Sequence, residues 1–173
     1  EVMDKCLSCK GCNSECPSSV DVAKLKAEFL QQYYDANGVP FRSKLIANFN
    51  NSAKLGSIAP GIYNWIMTTP WISNSIKRFS GFAVKRSMPT LYKTSLRKWF
   101  NKRKKDVNDD GQTRNKKVYL FCDEFTNYND TEIGIKAILL LEKLGYEVRM
   151  TDHEESGRAW MSKGLLREAK KSA

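Results

Sequence analysis

The sequence lacks most of the residues and motifs that mark enzymes. It has one histidine, His153, and it contains no G-x-G-x-x-G, no Walker loop and no G-x-S-x-G. These absences exclude the usual fingerprints of a dinucleotide site, a P-loop and a serine hydrolase in this chain. His153 stands between Asp152 and Glu154, and we interpret it as a surface loop residue rather than a ligand or general base. The sequence therefore shows no evident substrate chemistry and no catalytic residue.

Long apolar runs are also absent. The longest uninterrupted one is AILLL, residues 137–141, far below the roughly 18 residues that a membrane span needs. Of 173 residues, 41% are hydrophobic and 28% are charged, which suits a folded protein of one ordinary domain or two small ones. The chain opens on EVMDK, with no Met at its first position, and ends on EAKKSA. We therefore expect an internal piece of a longer protein.

Acidic residues are fewer than basic ones, with 19 aspartates and glutamates against 29 lysines and arginines. The formal net charge is +10, and the excess is concentrated in KTSLRKWFNKRKK, residues 93–105. Such a balance is compatible with nucleic acid, an anionic membrane surface or an acidic partner protein. We interpret the basic stretch as a solvated helix face and expect no nucleic-acid partner. A nucleic-acid binder stays an alternative, because Trp99 and Phe100 lie within the basic stretch.

Cysteine is almost absent outside one short stretch. Four of the five cysteines lie in CLSCKGCNSECP, residues 6–17, and Cys122 stands alone. Disulfide scaffolds spread their cysteines along the chain to tie distant segments together. The tight grouping instead indicates metal in a reducing compartment, and so a cytoplasmic protein. We interpret Cys122 as a buried apolar residue.

The four clustered cysteines follow the spacing C-x2-C-x2-C-x3-C-P. Bacterial ferredoxins use this run, and its fourth Cys ligates the other cluster of a pair. We expect the thiolates of Cys6, Cys9 and Cys12 to hold one 4Fe–4S cluster, while Cys16 completes a neighbouring one. A zinc site fits poorly, because it normally uses two Cys pairs a dozen or more residues apart. A small interaction module organised by zinc, or without metal, stays the alternative.

The residues between the cysteines suit this role. We expect Gly11 to allow a close turn, and the small residues Ser8 and Ser14 to leave backbone amides free to bond sulfur. Pro17 should fix the exit of the chain and open the next helix. The first cluster still needs a fourth ligand. We expect it from a partner half upstream with its own Cys run, so this chain alone should hold a cluster weakly or not at all.

We divide the chain into four segments: residues 1–40, 41–105, 106–115 and 116–173. In the first, a capping box of Ser18 and Asp21 predicts a helix that ends at ANG, residues 36–38. Its predicted apolar stripe consists of Val22, Leu25, Phe29, Leu30 and Tyr33.

The second segment, 41–105, reads as helices that begin at Pro60, Pro70 and Pro89. Trp65 and Trp71 lie near positive charge. We favour packing on a partner domain, and a peripheral contact with the inner face of a membrane is the alternative. The third segment, 106–115, is a polar linker.

The fourth segment, 116–173, reads as β-α-β. The strands KKVYLFCD and YEVRMT flank the helix TEIGIKAILLLEKLG, and RAWMSKGLLREAKK forms a last helix. The crossover helix should bury Ile133, Ala137, Leu140, Leu141 and Leu144. A two-strand sheet is too small for a finished domain, so the α/β part looks truncated. The predicted fold class is mostly α with a small α/β part containing parallel strands.

Four acidic residues lie near the first β-to-α turn, an edge that often lines a site in α/β folds. They are Asp123, Glu124, Asp130 and Glu132. With no partner base or nucleophile nearby in the pattern, we interpret them as helix N-terminal charge.

The stretch CLSCKGCNSECPSSVDVAKLKAEFL closely resembles the second ferredoxin motif of large bacterial FAD-linked oxidases of the D-lactate dehydrogenase and glycolate oxidase type. VYLFCDEFTNYNDTEIGIKAILLLEKLGYEV resembles the start of their CCG-type domain, and PTLYKTSLRKWF resembles the connector between the two. The resemblance covers nearly the whole chain. It implies an α-helical ferredoxin-like segment. Electrons from a 2-hydroxy acid would pass first to FAD, then through the iron–sulfur clusters, and finally to a quinone or a redox protein. FAD would bind in an upstream domain, outside this chain.

The chain departs from that resemblance in the CCG-type region. Where the family has paired cysteines before a glycine, this chain reads HEESGRA, with Glu155 and Ser156 before Gly157. Where a Cys commonly follows the first strand, Glu124 stands, and Cys122 is two residues away. Carboxylate and hydroxyl groups are poor replacements for thiolates on a cluster. We therefore expect no metal at this second place.

Overall fold

The structure is a computed structural model that describes residues 2–107 and 116–172. The chain forms two compact units, one of residues 1–49 with 156–173 and one of residues 50–155. These units cut across the four predicted segments, whose boundaries stay a prediction. Of the predicted linker, residues 106 and 107 are helical, and 108–115 lie outside the described residues.

Helices dominate the described residues. In chain order the elements are α1 (Val2–Lys5), α2 (Gly11–Glu15), α3 (Val22–Asn37), α4 (Phe41–Ala47), α5 (Phe49–Gly56), α6 (Pro60–Thr68), α7 (Pro70–Ser80), α8 (Leu96–Val107), β1 (Lys116–Leu120), α9 (Glu124–Tyr128), α10 (Thr131–Lys143), β2 (Tyr146–Met150), α11 (Arg158–Ser162) and α12 (Leu166–Lys171). Among the described helices, none is both long and apolar enough to cross a bilayer.

The predicted β-α-β unit is confirmed. Strands β1 and β2 pair in parallel, with Val118 opposite Val148, and helix α10 makes the crossover. The mostly helical fold with a small parallel sheet is therefore the predicted fold class. Helix α9, between β1 and α10, is an addition that the sequence pattern did not predict.

The core of the second unit lies between the sheet and helices α8 and α10. Its buried residues are Leu96, Phe100, Cys122, Ile138 and Val148. A side chain at Gly134 of α10 would collide with Leu96, so the glycine lets these two helices approach closely.

Two of the three predicted proline starts are confirmed and one is wrong. Pro60 and Pro70 occupy the first turns of α6 and α7. Pro89 does not open a helix, because α8 begins only at Leu96. The intervening backbone is tied elsewhere: Leu91 exchanges hydrogen bonds of 2.7 and 2.8 Å with the Asn64 side chain.

Helix α3 of the first unit ends as predicted but starts differently. Gly38, at φ 80°, follows its last residue. The predicted capping box on Ser18 is wrong, because Asp21 is the N-cap and accepts a 3.0 Å hydrogen bond from the Lys24 amide. Pro17 therefore lies in a turn before the cap and does not open the helix.

The apolar stripe predicted for α3 is not its buried face. Leu25, Phe29 and Tyr33 are about half exposed, whereas the buried positions are Ala23, Lys26 and Ala27. The prediction for helix α10 is right only in part. Leu141 packs against the core and Ala137 is half-buried, but Ile133, Leu140 and Leu144 are exposed. The buried residues of this helix are Thr131, Gly134 and Ile138.

The predicted last helix is two helices. Gly164 adopts φ 73°, a left-handed conformation that favours glycine, and it separates α11 from α12. The second of these helices is tied to α3 within the first unit. The Arg167 guanidinium donates to the Asp35 carboxylate at 2.7 Å.

Candidate functional site

The loop from Cys6 to Cys16, called here the cysteine loop, holds four thiols that form no disulfide. Cys9 and Cys12 are exposed, and Cys6 and Cys16 are half-buried. The chain turns sharply between the first three cysteines. Ser8 at φ 55° and Lys10 at φ 62° are both left-handed, which is uncommon for residues other than glycine.

The turn that we assigned to Gly11 is therefore made by its neighbours. Gly11 is the first residue of the short helix α2, and it is not among the residues with positive φ. A methyl group there would lie 3.7 Å from the Cys9 sulfur, an ordinary contact. Its lack of a side chain is thus not what shapes this loop.

Backbone N–H groups are directed at two of the sulfurs. The Ser8 amide donates to Cys6 Sγ at 3.4 Å, as expected for that residue. Hydrogen bonds from the backbone of Val20, then Ser18, hold the pKa of the Cys16 thiol below its ordinary value. The Ser14 hydroxyl instead donates to the Gly11 carbonyl. Amides directed at sulfur stabilise thiolate, which is the form that binds metal.

A buried lysine on α3 supports the cysteine loop. Lys26 is only 2% exposed, and its ammonium donates to the Cys6 carbonyl at 2.7 Å and to the Ser8 hydroxyl at 3.2 Å. It thus fixes the strained turn that carries the first two thiols and brings a positive charge near them. Lys26 was not among the residues singled out from the sequence. The available signal was its place within the apolar stripe, four residues after Val22 and four before Leu30.

The donors of the cysteine loop fit an iron–sulfur group in chemistry. Thiols are the ligands that such clusters take, and the amides and the ammonium suit a site that carries negative charge. Within the residues that the structure describes, however, no three metal-binding side chains are gathered at one point. The assignment of Cys6, Cys9, Cys12 and Cys16 as ligands therefore stays a prediction.

A cavity of about 310 Å³ lies in the second unit, where both strands end. Cys122 and Glu124 follow β1 there, and Asp152 and His153 follow β2. The carboxyl edge of a parallel sheet is the usual ligand side of α/β folds. Its lining mixes acidic, basic and amide side chains, so it favours no single ligand charge.

His153 is a structural residue of that edge. Its Nε2 accepts a 3.1 Å hydrogen bond from the Cys122 amide, and its Nδ1 lies 2.7 Å from the Glu154 carbonyl. Because an amide can only donate and a carbonyl can only accept, the ring is the neutral tautomer with its proton on Nδ1. The ring also stacks on Phe121 with centroids 3.9 Å apart. The expected loop position is confirmed, and both ring nitrogens are engaged by backbone.

Arg97 of α8 organises the same edge. Its guanidinium donates to the Thr151 carbonyl at 3.2 Å and to the Asp152 carboxylate at 3.4 Å. The basic stretch 93–105 is thus not wholly a solvated face, since Arg103 also pairs with Glu142 at 2.7 Å. Lys93, Lys98 and Lys102 are exposed, as we expected for the whole stretch.

Cys122 is buried, as the sequence predicts, with 4% of its surface exposed. Burial raises the pKa of its thiol to about 11, against the opposing effect of Arg97. The thiol therefore stays protonated at neutral pH, a form that binds metal poorly.

The four acidic residues near the first β-to-α turn lie at helix N-termini, as we predicted. Asp123 caps α9 by accepting from the amides of Phe125 and Thr126 at 2.9 and 3.0 Å. Glu132 lies in the first turn of α10 and pairs with Lys136 at 2.8 Å. Asp130 occupies the N-cap position of α10 without a side-chain cap bond. Glu124 lies in the first turn of α9, as predicted, and it is also buried at the cavity wall.

The curated proteins to which this chain is similar are bacterial 2-hydroxy acid dehydrogenases, matched over nearly the whole of this chain. No protein-family model matches, and no solved structure matches at a significant level.

Each of these relatives is named D-2-hydroxyglutarate dehydrogenase. The Pantoea ananatis protein is 29% identical over 180 residues, and the Escherichia coli protein is 28% identical over 182 residues. The Haemophilus influenzae protein is 24% identical over 182 residues. These alignments cover 99 to 100% of this chain but 17% of each relative. The matches agree with the expected resemblance to part of a large FAD-linked oxidase.

Proposed function

We propose that this chain is an electron-transfer segment of a larger FAD-dependent oxidoreductase that oxidises a 2-hydroxy acid. D-lactate and glycolate are the substrates that the sequence resemblance implies. The names of the relatives favour D-2-hydroxyglutarate, a compound of the same class. The observation that carries the proposal is the cysteine spacing, on a loop whose Ser8 amide donates to the Cys6 sulfur.

In this proposal Cys6, Cys9 and Cys12 hold one 4Fe–4S cluster, and Cys16 serves a neighbouring cluster bound mainly by upstream residues. Such clusters supply transfer of single electrons. The roles of the chain's own residues follow from their contacts. The Ser8 amide supports the Cys6 thiolate, and Lys26 holds the loop and offsets negative charge.

The remaining parts belong to the proposal as well. FAD binds in an upstream domain of the same protein, which also supplies the second cluster half. A quinone or a redox protein accepts the electrons, and the protein works in the cytoplasm. The cavity near Cys122 has no assigned redox role, since a protonated buried thiol and carboxylates are poor cluster ligands.

Metal analysis tests the proposal. The complete protein that contains this chain is purified without oxygen, and its iron and acid-labile sulfide are measured together with the electron paramagnetic resonance spectrum of the reduced form. We expect Cys9→Ala to lower iron and sulfide together and to change the spectrum. Cys122→Ala is the matched control, and it should leave both unchanged.

Two outcomes would contradict the proposal. A complete protein without iron and sulfide would remove the cluster, and zinc in its place would support the metal-organised interaction module. Retention of the full iron and sulfide content of the unchanged protein in a variant that lacks Cys6, Cys9 and Cys12 would move the cluster away from this loop, because the neighbouring cluster accounts for only part of that content.

A further inference from the structure

The part of the second unit that precedes its sheet, residues 50–105, contains twelve lysines and arginines and no aspartate or glutamate. Lys54, Arg78, Lys85 and Arg86 are exposed there. Of the twelve, Arg97 and Arg103 pair with Asp152 and Glu142. The exposed positive charges that remain attract an anionic surface.

Large apolar side chains are exposed among these charges. We call them the apolar–basic surface; its apolar members are Leu55, Ile58, Ile62, Trp65, Trp71 and Phe79. Trp71 is 73% exposed and Trp65 is 59% exposed. Exposed apolar residues are as frequent in residues 119–144, so their number alone does not set this group apart. The group differs because two of its members are tryptophan and because no aspartate or glutamate lies among them in the sequence.

Helix α7 shows that the exposure is a property of the helix and not of a frayed end. Its buried positions are Ser73, Lys77 and Ser80, spaced for one face. The Lys77 ammonium donates to the Val84 carbonyl at 3.2 Å, which closes the turn after the helix. The opposite side carries Trp71 and Phe79. Small and polar groups thus pack inward, and the aromatic rings are left outside.

Helix α6, which packs against α7, has a similar division. Ile62 and Trp65, three residues apart, are exposed, whereas Asn64 faces inward and holds the Leu91 backbone. Two consecutive helices therefore present tryptophan and other apolar groups, and the second of them adds the exposed Arg78.

We propose that the apolar–basic surface docks on an anionic lipid bilayer, with its tryptophans at the headgroup level. Tryptophan concentrates at that interface because its ring is apolar and its N–H needs a polar partner. Exposed lysine and arginine add attraction to anionic lipid. An acidic protein would use the charges but does not require this combination of aromatic and aliphatic groups. The proposal goes beyond electron transfer and needs no cluster.

Vesicle co-sedimentation of the complete protein tests this inference. Vesicles of phosphatidylethanolamine and phosphatidylglycerol in equal amounts are compared with vesicles of phosphatidylcholine alone. We expect binding to the anionic vesicles, with weakening as salt rises, and little binding to the neutral ones. Binding should also shift tryptophan fluorescence to shorter wavelength, as rings leave water.

Two pairs of variants separate the apolar and charged contributions. Trp65→Ser with Trp71→Ser should weaken partitioning about tenfold or more, from the loss of apolar burial. Lys85→Gln with Arg86→Gln should weaken it about fivefold for each charge. Ile133→Ser with Leu144→Ser is the matched control, since it removes exposed apolar groups from α10 and should leave partitioning unchanged. Circular dichroism checks that every variant is folded.

Other results would overturn the inference. They are no binding to either vesicle, equal binding to both, or equal loss in the α10 control. Binding that depends on Lys85 and Arg86 but not on the tryptophans, and that occurs equally on duplex RNA, would show attraction by charge alone. The iron content of the protein decides none of these outcomes, so this inference and the proposed function fail separately.

Discussion

The cysteine loop and the strand end at Cys122 both carry thiols, but their surroundings differ. In the loop, Cys9 and Cys12 face solvent, and backbone amides are directed at Cys6 and Cys16. At the strand end, Cys122 packs among core residues, and its own amide is taken by His153. Loop thiols can therefore ionise and bind metal, whereas Cys122 fills space as an apolar residue.

The difference comes from the backbone more than from the sulfur. The left-handed Ser8 donates its N–H group to the Cys6 thiol, and Lys26 helps to offset the conformational cost of the turn. Cys122 follows β1 by two residues, and its thiol packs among the core side chains. Experiments on thiol reactivity, loop support and helix capping can sharpen or break this comparison.

The largest expected effect is on alkylation. Because burial raises the pKa of Cys122 to about 11, its thiolate fraction at about pH 8 should be at least ~100-fold below that of an ordinary thiol, whose pKa is about 8.5. We expect iodoacetamide to modify Cys9 and Cys12 of the iron-free protein while Cys122 stays unmodified. Mass spectrometry of peptides over time measures the rates.

Unfolding in denaturant supplies the control, since Cys122 should then react as fast as the loop cysteines. If Cys122 reacts as fast in the native protein, the contrast between buried and accessible thiols is wrong.

The cysteine spacing and the β-α-β order could be predicted from sequence, because each is a local pattern with one main physical reading. Lys26 could not be found in this way. A lysine on a helix is normally solvated, and only the folded loop reveals that the Cys6 carbonyl and the Ser8 hydroxyl lie within its reach. The left-handed Ser8 and Lys10 were missed for the same reason, since turn chemistry pointed to Gly11.

The buried faces of α3 and α10 show a second limit. Helical spacing identified Leu25, Phe29 and Tyr33, and it identified Ile133, Leu140 and Leu144, as apolar stripes. Spacing says which residues share a face but not which face packs within this chain. The buried faces carry Ala27 and Gly134, whose small size lets neighbouring elements come close, and hydropathy patterns score such residues weakly.

The pKa of Cys122 also predicts a pH dependence of stability. The pKa is raised in the folded state, so the unfolded thiol ionises first, and stability is lost as pH rises from about 8.5 towards 11. At about pH 10 the loss due to this group should be roughly 2 kcal/mol. Urea unfolding of wild type and Cys122→Ala measures it, because the variant should lose less stability over that range. Parallel curves for the two proteins would show that burial does not shift this thiol.

Support of the cysteine loop by Lys26 should have an effect of similar size. Lys26→Met keeps much of the buried length of the side chain but removes both hydrogen bonds of the ammonium. Hydrogen bonds from a charged group, and the buried acceptors left without a donor when they are lost, together account for about 2 kcal/mol of stability. We expect that loss in the free energy of unfolding and faster amide exchange at Ser8. Lys24→Met, at an exposed position on the same helix, should change stability little. Equal effects of the two substitutions would mean that Lys26 does not hold the loop.

The smallest expected effect tests where α3 begins behind the cysteine loop. Asp21 accepts from the Lys24 amide, so Asp21→Ala should cost about 1 kcal/mol and loosen the first turn of the helix. Ser18→Ala should cost much less, because the structure leaves that residue in the turn before the cap. Urea unfolding of the two variants decides between the caps. A larger loss for Ser18→Ala would restore the capping box predicted from sequence, and it would extend the helix to within two residues of Cys16.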